Sequence, residues 1–304
     1  MRAVFADCTE ELRRVIETLG LQVPSSVRIN HGTPTEAELI ELCSDRDVLF
    51  VEHTSVPASV FAACPSIRAV IFMGTGAGTY LDLDDATQRG VEVMTTPGYG
   101  DRAVAEHTFA LMFAAARNIA TMDRDLRAGE WKPLGGLQLE NQKIAVIGLG
   151  GIGATMADLA SSVGMRVSAW NRTRKDNPNF VADIDEALDG ATVVSLHLSL
   201  SAETCGIIDL RRIMLPARGF ILVNTARAAL VDEHALLEGL SGGQIGHAAL
   251  DVFPEEPLRA TNPYTKLANA TVTAHAAYMT DAAYAELWNR TLKAYNRLAD
   301  RSRL

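Results

Sequence analysis

Residues 143–171 read KIAVIGLGGIGATMADLASSVGMRVSAWN, and this stretch is the most informative part of the sequence. An apolar run predicts a buried strand, the following alanine- and leucine-rich segment predicts a helix, and RVSAW predicts a second strand. Between the first strand and the helix lie Gly148, Gly150 and Gly153. In such a unit the first glycine permits a tight turn, the second lets the backbone approach a pyrophosphate, and the third lets helix and strand pack closely. The stretch therefore predicts a doubly wound α/β domain that binds a dinucleotide; a glycine-rich turn without a ligand is the alternative.

The amides at the start of the predicted helix would hold the negative charge of the pyrophosphate. The residues predicted to contact it are Gly148, Gly150, Gly151, Ile152 and Gly153.

The size and charge of the chain limit its class. Its 304 residues, of which 48% are hydrophobic and 21% charged, predict two compact domains. The net charge of -9 argues against nucleic acid or an anionic membrane as a partner. No apolar run suits a signal peptide or a membrane span, so we expect a cytoplasmic protein. Four scattered cysteines and seven histidines show no metal-ligand spacing, so we expect neither disulfides nor a metal site.

Short apolar runs alternate with helical patterns in both halves of the chain, which predicts two parallel sheets. Between the halves, residues 101–131 predict one long connecting helix that stops near Gly129. The last residues, from Asp281 onward, predict a terminal helix that folds back on the first domain.

Polar residues follow the apolar runs of the second half. They are His197, Arg227, Asp251 and His275. Ligands of open parallel sheets bind outside the carboxyl ends of the strands, so these side chains are candidates for one site. For His197, a hydrogen-bonded core histidine is an equal alternative.

Several segments, taken in order, resemble the D-isomer-specific 2-hydroxyacid dehydrogenases. They are GTYLDLDDATQRGVEVMTTPG, VAEHTFALMFAAARNI, VIGLGGIG, VVSLHLSLSAETCGII, LVNTARAALVDEHAL, AALDVFPEEPL and TAHAAYMT. The resemblance implies a flavodoxin-like substrate domain (1–99 and 277–304) and an inserted Rossmann NAD(P)-binding domain (100–276). It also implies a homodimer formed through the region of the connecting helix.

The same resemblance implies three catalytic residues, Arg227, Glu256 and His275. A planar guanidinium at Arg227 can hold the carboxylate of a 2-keto acid and polarise its carbonyl. His275 can give the carbonyl oxygen a proton as hydride arrives, since histidine titrates near neutrality. Glu256, hydrogen-bonded to the imidazole, would orient it and favour its protonated form. An ion-paired group that serves stability alone is the alternative.

Further contacts follow from the resemblance. For the substrate carboxylate, the glycine-rich loop FMGTGAGTY offers backbone donors at Gly76 and Ala77, or at their neighbours Thr75 and Gly78, with Arg227 and His275 completing the substrate site. A plain turn is the alternative. For the cofactor, the predicted contacts beyond the glycine loop are Thr108, His197, Thr225, Ala226, Arg227 and Asp251.

The end of the second strand of the fingerprint suggests which cofactor is used. An acidic residue there would bind the ribose of NAD and repel the 2'-phosphate of NADP. This chain has Asn171, followed by Arg172, Thr173, Arg174 and Lys175, which offer donors to a phosphate. We therefore expect NADP(H) to be favoured and NAD(H) to remain possible; an ordinary solvated cationic turn is the alternative.

The substrate is less readable. Relatives that take a phosphorylated acid carry arginines in the first loop of the substrate domain, where this chain has Glu52, which would repel a phosphate. A small keto acid such as glyoxylate or hydroxypyruvate is favoured, reduced to the D-2-hydroxy acid. Two alternatives stay open: NAD-dependent oxidation of a 2-hydroxy acid of the 3-phosphoglycerate type, and a nucleotide-sensing protein without enzymatic activity.

Overall fold

The computed structural model describes residues 1–301, which form two compact units. The first comprises residues 1–100 and the C-terminal part of the chain from Met279 onward, and the second comprises Asp101–Tyr278. The boundaries predicted from the sequence, 99/100 and 276/277, lie within two residues of these divisions.

The first unit contains a five-stranded parallel sheet in the order β2-β1-β3-β4-β5. The strands are β1 (Ala3–Cys8), β2 (Val27–His31), β3 (Val48–Val51), β4 (Ala69–Phe72) and β5 (Glu92–Thr95). The helices are α1 (Glu10–Thr18), α2 (Glu36–Cys43), α3 (Ala58–Ala63) and α4 (Leu83–Gln88). This strand order is that of flavodoxin-like folds. Strands β1, β3 and β4 are buried throughout, as expected of central parallel strands that are covered on both faces.

The second unit contains a seven-stranded parallel sheet in the order β12-β11-β10-β9-β6-β7-β8. The strands are β6 (Lys143–Ile147), β7 (Arg166–Trp170), β8 (Phe180–Val181), β9 (Val193–Leu196), β10 (Phe220–Asn224), β11 (Ile245–Leu250) and β12 (Ala270–Val272). The chain starts at β6, moves outward to β7 and β8, then crosses back to β9. This reversal next to β6 is the Rossmann arrangement, whose ligands bind at the carboxyl ends of the strands beside the switch point.

The helices of the second unit correct one prediction. They are α5 (Asp101–Ala116), α6 (Ile119–Arg127), α7 (Gly151–Ser162), α8 (Ile184–Leu188), α9 (Leu210–Ile213) and α10 (Glu233–Ser241). The single long helix expected over residues 101–131 is wrong, because the chain breaks between α5 and α6. Asn118 there adopts a left-handed conformation with φ 52°, and its Nδ2 donates to the Gly135 carbonyl at 2.7 Å. Asparagine tolerates this conformation better than most residues, so the break costs little conformational free energy.

The terminal helix α11 (Asp281–Arg301) packs on the first unit, as predicted. Trp288, fully buried, stacks on Phe5 with ring centroids 6.1 Å apart, and its Nε1 donates to the Gln22 carbonyl at 3.0 Å. Tyr295 meets Phe50 edge to face. Residues 302–304 of the predicted helix lie outside the described part of the chain.

Candidate active site

The glycine loop after β6 has the geometry that dinucleotide binding requires. Gly148 has φ 111°, and a Cβ there would lie 2.6 Å from the His197 carbonyl oxygen, so a side chain fits neither the backbone nor the space. A Cβ on Gly153 would overlap with the Gly148 carbonyl, which explains how α7 packs so closely on the loop. A Cβ on Gly150 would meet nothing within 4 Å, so the loop is open on that side.

Helix α7 starts directly after this open side. Its N-cap, Gly150, offers no side-chain acceptor, and its first turn carries no acidic residue. The first amides of the helix are therefore left for an anion, as the positive end of a helix favours. The loop fits the pyrophosphate of a dinucleotide.

Asn171 follows β7 and ties it to the glycine loop. Its Oδ1 accepts from the Leu149 amide at 3.1 Å, and its Nδ2 donates to the Thr173 carbonyl at 2.7 Å. A neutral amide thus occupies the position at which a carboxylate was the expectation for NAD.

The residues after Asn171 are exposed. Arg172 forms an ion pair with Glu203, whereas Arg174 and Lys175 have no carboxylate within ion-pair distance among residues 1–301. Two cations therefore remain unneutralised beside the loop.

His197 lies directly after β9, and its backbone packs against the glycine loop at Gly148. Its amide donates to the Ile147 carbonyl at 2.8 Å, and its Nε2 lies 2.8 Å from Ser195 Oγ. Burial lowers the pKa of this imidazole to about 3, so the ring is neutral. The ring is hydrogen-bonded but only half-buried, so it partly matches the core histidine that the sequence left as an alternative; a side-chain contact to the cofactor stays a prediction.

Polar side chains fix the turn after β10. Asn224 donates from Nδ2 to the Arg227 carbonyl at 2.9 Å and accepts from the Ala226 amide at 3.0 Å. The Thr225 and Thr108 hydroxyls lie 2.7 Å apart, and Thr108 is fully buried on α5. The predicted residues Thr108, Thr225 and Ala226 are therefore brought together, with Thr108 bracing the turn that carries Arg227.

Two of the predicted catalytic residues, His275 and Glu256, are in contact at the carboxyl edge of the second sheet, whereas the Arg227 Nη1 donates to the Ala226 carbonyl at 2.6 Å. His275 Nδ1 lies 2.6 Å from Glu256 Oε2, and the Phe253 amide donates to Glu256 Oε1 at 2.8 Å. The two side chains are 39% and 34% exposed, so a small molecule can reach them. Burial raises the pKa of Glu256, but hydrogen bonds from His275 and Phe253, with the nearby charges of His275 and Arg227, bring it below its ordinary value. Glu256 is therefore a carboxylate at neutral pH.

Asp251 holds the backbone that presents His275. It is fully buried after β11, and its carboxylate accepts from the Ala276 and Ala277 amides, both at 3.0 Å. Its carbonyl accepts from the His275 amide at 2.8 Å, and His275 has the unusual φ of 50°. Burial raises the pKa of Asp251, yet the contact with His107, whose Nε2 lies 3.6 Å from Oδ1, and the hydrogen bonds from Thr273, Ala276 and Ala277 lower it overall. The observed partners of Asp251 are thus all loop and side-chain groups of this unit, and a direct cofactor contact stays a prediction.

Two residues of this network were missed from the sequence. Thr273 donates to Asp251 Oδ1 at 2.5 Å, and His107 Nε2 lies 3.1 Å from Thr273 Oγ1. His107 directly precedes Thr108 on α5, and Thr273 stands two residues before His275. Proximity to those predicted residues was the available signal, but pairing across 166 positions of sequence is not visible without the fold.

The predicted carboxylate loop lies after β4 in the first unit. Thr75 and Gly78 are exposed, whereas Ala77 is buried at the start of a short 3₁₀ turn, Ala77–Thr79. Within the described chain, the amides of residues 75–78 donate to no protein acceptor. Such a run of open amides is what an anion-binding loop needs.

The structure corrects the charge expected at Glu52. Its side chain is 3% exposed at the end of β3, and neither carboxyl oxygen has a hydrogen-bond partner in residues 1–301. Burial, with the nearby charge of Asp7, raises its pKa to about 8. A protonated, buried carboxyl cannot repel a phosphate by charge, so that part of the sequence argument is wrong.

Two features are absent from residues 1–301. No group of three or more His, Cys, Asp and Glu side chains there is arranged to hold a metal ion. None of the helices there combines the length and apolar character needed to cross a bilayer.

Comparison with known proteins gives the family. The family model "D-isomer specific 2-hydroxyacid dehydrogenase, NAD binding domain" matches residues 109–277. This chain belongs to that family. The D-2-hydroxyacid dehydrogenases are oxidoreductases that act on the CH–OH group, and the Rossmann unit described above is the family's NAD-binding domain.

Individual relatives cover most of this dehydrogenase. It is 34% identical to a glyoxylate reductase of Korarchaeum cryptofilum over 88% of this chain and 85% of that protein. It is 35% identical to a D-3-phosphoglycerate dehydrogenase of Methanocaldococcus jannaschii over 90% of this chain, which spans only 52% of that relative. The structure of the acyclic imino acid reductase Bsp5, in complex with NADPH and D-Arg, superposes with a TM-score of 0.84 at 27% identity, covering 99% of this chain and 98% of that one.

Proposed function

We propose that this dehydrogenase reduces a small, unphosphorylated 2-keto acid to the D-2-hydroxy acid and favours NADPH as its cofactor. The observation that carries the proposal is the His275–Glu256 pair beside Arg227, at the edge of the sheet that bears the open glycine loop.

His275 is built to deliver a proton. Glu256 holds Nδ1, and Nε2 forms no hydrogen bond among the described residues. With the carboxylate of Glu256 stabilising the imidazolium, His275 gives its Nε2 proton to the carbonyl oxygen of the substrate. A nicotinamide, when bound, would supply the hydride to the carbonyl carbon.

Arg227 binds the substrate carboxylate in this proposal. The Arg227 guanidinium is near enough to Glu256 to influence its pKa, and it can pair with the substrate carboxylate while polarising the carbonyl. The open amides of residues 75–78, in the first unit, suit an anion such as a carboxylate.

The preference for NADPH is supported by charge. Asn171 removes the carboxylate that would repel a 2'-phosphate, and Arg174 and Lys175 carry no competing ion pair in the described structure. The similarity to an imino acid reductase that was solved with NADPH supports the same choice.

The substrate class is supported by two curated relatives named glyoxylate reductase, at 34% and 35% identity. The loop after β3 offers His53 and Thr54 but no arginine or lysine to pair with a phosphate. Glyoxylate and hydroxypyruvate are therefore the first substrates to test.

A panel of 2-keto acids assayed with NADPH and with NADH tests the proposal. We expect NADPH oxidation with glyoxylate or hydroxypyruvate and formation of D-glycerate from the latter. Preferential oxidation of D-3-phosphoglycerate with NAD would support the alternative substrate, and nucleotide binding without turnover of any keto acid would support a sensor.

We also propose that the enzyme is a homodimer that uses α6 and the following segment. Helix α6 has no buried residue, and Ile119, Leu126, Trp131 and Leu134 are 53%, 57%, 85% and 42% exposed. Large apolar side chains at this density are typical of a covered interface. With a net charge of -9, a second copy is a better partner for this apolar surface than nucleic acid or an anionic membrane.

Light scattering after size exclusion tests the homodimer. We expect a mass of twice 32.7 kDa for the wild type and a monomer for Leu126→Glu. Leu210→Glu, at a side chain that is 45% exposed in the same unit, should stay dimeric. A monomeric wild type would refute this assignment.

A further inference from the structure

The glycine loop contains one glycine that its own geometry does not require. The turn, the cofactor approach and the helix packing account for Gly148, Gly150 and Gly153. Gly151 is already the first residue of α7 and has no left-handed φ. A neighbouring side chain must therefore leave no room for a Cβ at this position.

That neighbour is Asp101. A Cβ on Gly151 would overlap with Asp101 Oδ2 and would lie 3.2 Å from Oδ1. The carboxylate therefore rests on the backbone of Gly151, in the space that any larger residue would fill. Asp101 is the first residue of α5, which packs along α7. Both residues belong to the dinucleotide-binding unit.

The carboxylate lies where the helix attracts anions. It is the negative group at the start of α7, because the helix has no acidic residue in its own first turn and its glycine N-cap has no side chain. No described donor forms a hydrogen bond or ion pair with Asp101. Its charge is therefore not cancelled by a protein cation.

We propose that Asp101 sets the affinity for the cofactor by competing with the pyrophosphate for the positive end of α7. The inference rests on the proposed function only in that a dinucleotide binds at this loop. A fixed carboxylate beside the pyrophosphate weakens binding through like-charge repulsion, and this favours release of the nucleotide after hydride transfer. Because NADH and NADPH share the pyrophosphate, Asp101 acts on both equally, unlike the residues around Asn171.

Neutralising the carboxylate tests the proposal. Asp101→Asn keeps the size of the side chain and removes its charge. We expect the Kd values of NADPH and NADH, titrated by nicotinamide fluorescence at low salt, to fall by about three- to tenfold with their ratio unchanged. The gain should shrink at high salt, because screening already weakens the repulsion in the wild type.

Asp158→Asn is the matched control. It makes the same charge change on the exposed side of α7, seven residues from its start, or about 10 Å along the helix. Its Kd values should equal those of the wild type, since solvent and salt screen an exposed charge at that distance from the pyrophosphate.

Other results would overturn the proposal. They are unchanged or weaker binding in Asp101→Asn, a gain confined to NADPH, or an equal gain in Asp158→Asn. Should Asp101→Asn melt at a lower temperature than the wild type, Asp101→Ser, which is smaller and also uncharged, must show the same gain. A wild type that binds neither nucleotide would refute the proposed function as well, whereas a wild type that reduces keto acids without a gain in Asp101→Asn refutes this inference alone.

Discussion

Asn171 joins the end of β7 to the glycine loop through a neutral side chain. The Leu149 amide and the Thr173 carbonyl both depend on this amide group. An aspartate could still accept from Leu149, but it could not donate to Thr173, and it would place a charge beside any 2'-phosphate. We expect Asn171→Asp to raise the KM for NADPH about tenfold or more and to change the KM for NADH much less. NADH is the internal control, and an equal effect on both would make residues 171–175 an ordinary charged turn.

Glu256 acts through His275, so its removal should change how activity depends on pH. The lowered pKa of Glu256 means that it stays ionised from mildly acidic to alkaline pH, and it supports the imidazolium across that range. In Glu256→Gln the imidazole must hold its proton without a carboxylate. We expect kcat for keto acid reduction to fall more at pH 8 than at pH 6, because more of the imidazole is neutral at pH 8. A loss that is the same at both values would show that Glu256 only positions the ring.

Glu52 should make the stability of the protein depend on pH. The unfolded carboxyl ionises near 4.5, whereas the folded one keeps its proton until about pH 8. Between these values the unfolded state has lost a proton that the folded state retains, so the free energy of unfolding falls as pH rises through this window.

Urea denaturation at several pH values measures this contribution. Glu52→Gln should remove the decline between pH 5 and pH 8, apart from a constant offset caused by the buried amide. The exposed Glu41→Gln should keep the wild-type decline. An unaltered slope in Glu52→Gln would contradict the raised pKa.

At the scale of the element, two glycines of the same loop have different roles, one in stability and one in nucleotide binding. A Cβ on Gly153 would overlap with the Gly148 carbonyl, whereas one on Gly150 would meet no protein atom within 4 Å. We expect Gly153→Ala to lower the melting temperature markedly. Gly150→Ala should melt like the wild type but bind both nucleotides more weakly, because its methyl group would occupy the approach of the pyrophosphate. Thermal melts and nucleotide titrations of the pair check this, and a destabilised Gly150→Ala that binds normally would contradict it.

The sequence predicted the elements whose apolar pattern is strong and failed where geometry is set by contacts. Strands β3 and β4 are continuous apolar runs, and β1 and β6 are apolar apart from Asp7 and Lys143, as is typical of central strands that are covered on both faces. Strand β2, at the edge of its sheet, and β8, with two residues, have too little pattern to be seen. The break at Asn118 depends on a hydrogen bond to Gly135, which helical periodicity does not reveal.

At the scale of the whole molecule, α11 completes the first unit from the far end of the chain. Trp288 is fully buried against Phe5. We expect Trp288→Ala to lower the free energy of unfolding by about 3–5 kcal/mol. Leu19→Ala, at a side chain that is 51% exposed on the same unit, should change it by less than about 0.5 kcal/mol.

The Kd for NADPH, measured in the same variants, shows whether the loss of Trp288 affects the second unit. The dinucleotide loop belongs to the second unit, which α11 does not help to build. Below the unfolding transition, Trp288→Ala should therefore bind NADPH with the Kd of the wild type. A weakened Kd would show that α11 also supports the second unit.

Arg227 and His275 were predictable because each follows a strand, and parallel strands end at one edge of their sheet. Glu256 was predicted only from the family resemblance. The residues that support the His275 loop were not predicted in this role. Asp251 holds the His275 loop, a role that its predicted cofactor contact did not suggest, and the contact between His107 and Thr273 was missed. Likewise, position 151 requires a glycine because the carboxylate of Asp101, fifty positions earlier in the chain, occupies the space of a side chain. Such roles depend on tertiary contacts between residues that carry no local pattern.

The most direct test of the central claim is the ratio of kcat/KM for NADPH to kcat/KM for NADH, measured with hydroxypyruvate at neutral pH. A reductase whose cofactor site has Asn171 in place of an acid, with Arg174 and Lys175 beside it, should give a ratio well above one, and His275→Ala should abolish turnover with both nucleotides. A ratio at or below one would contradict the cofactor assignment, and undiminished turnover in His275→Ala would contradict the catalytic one.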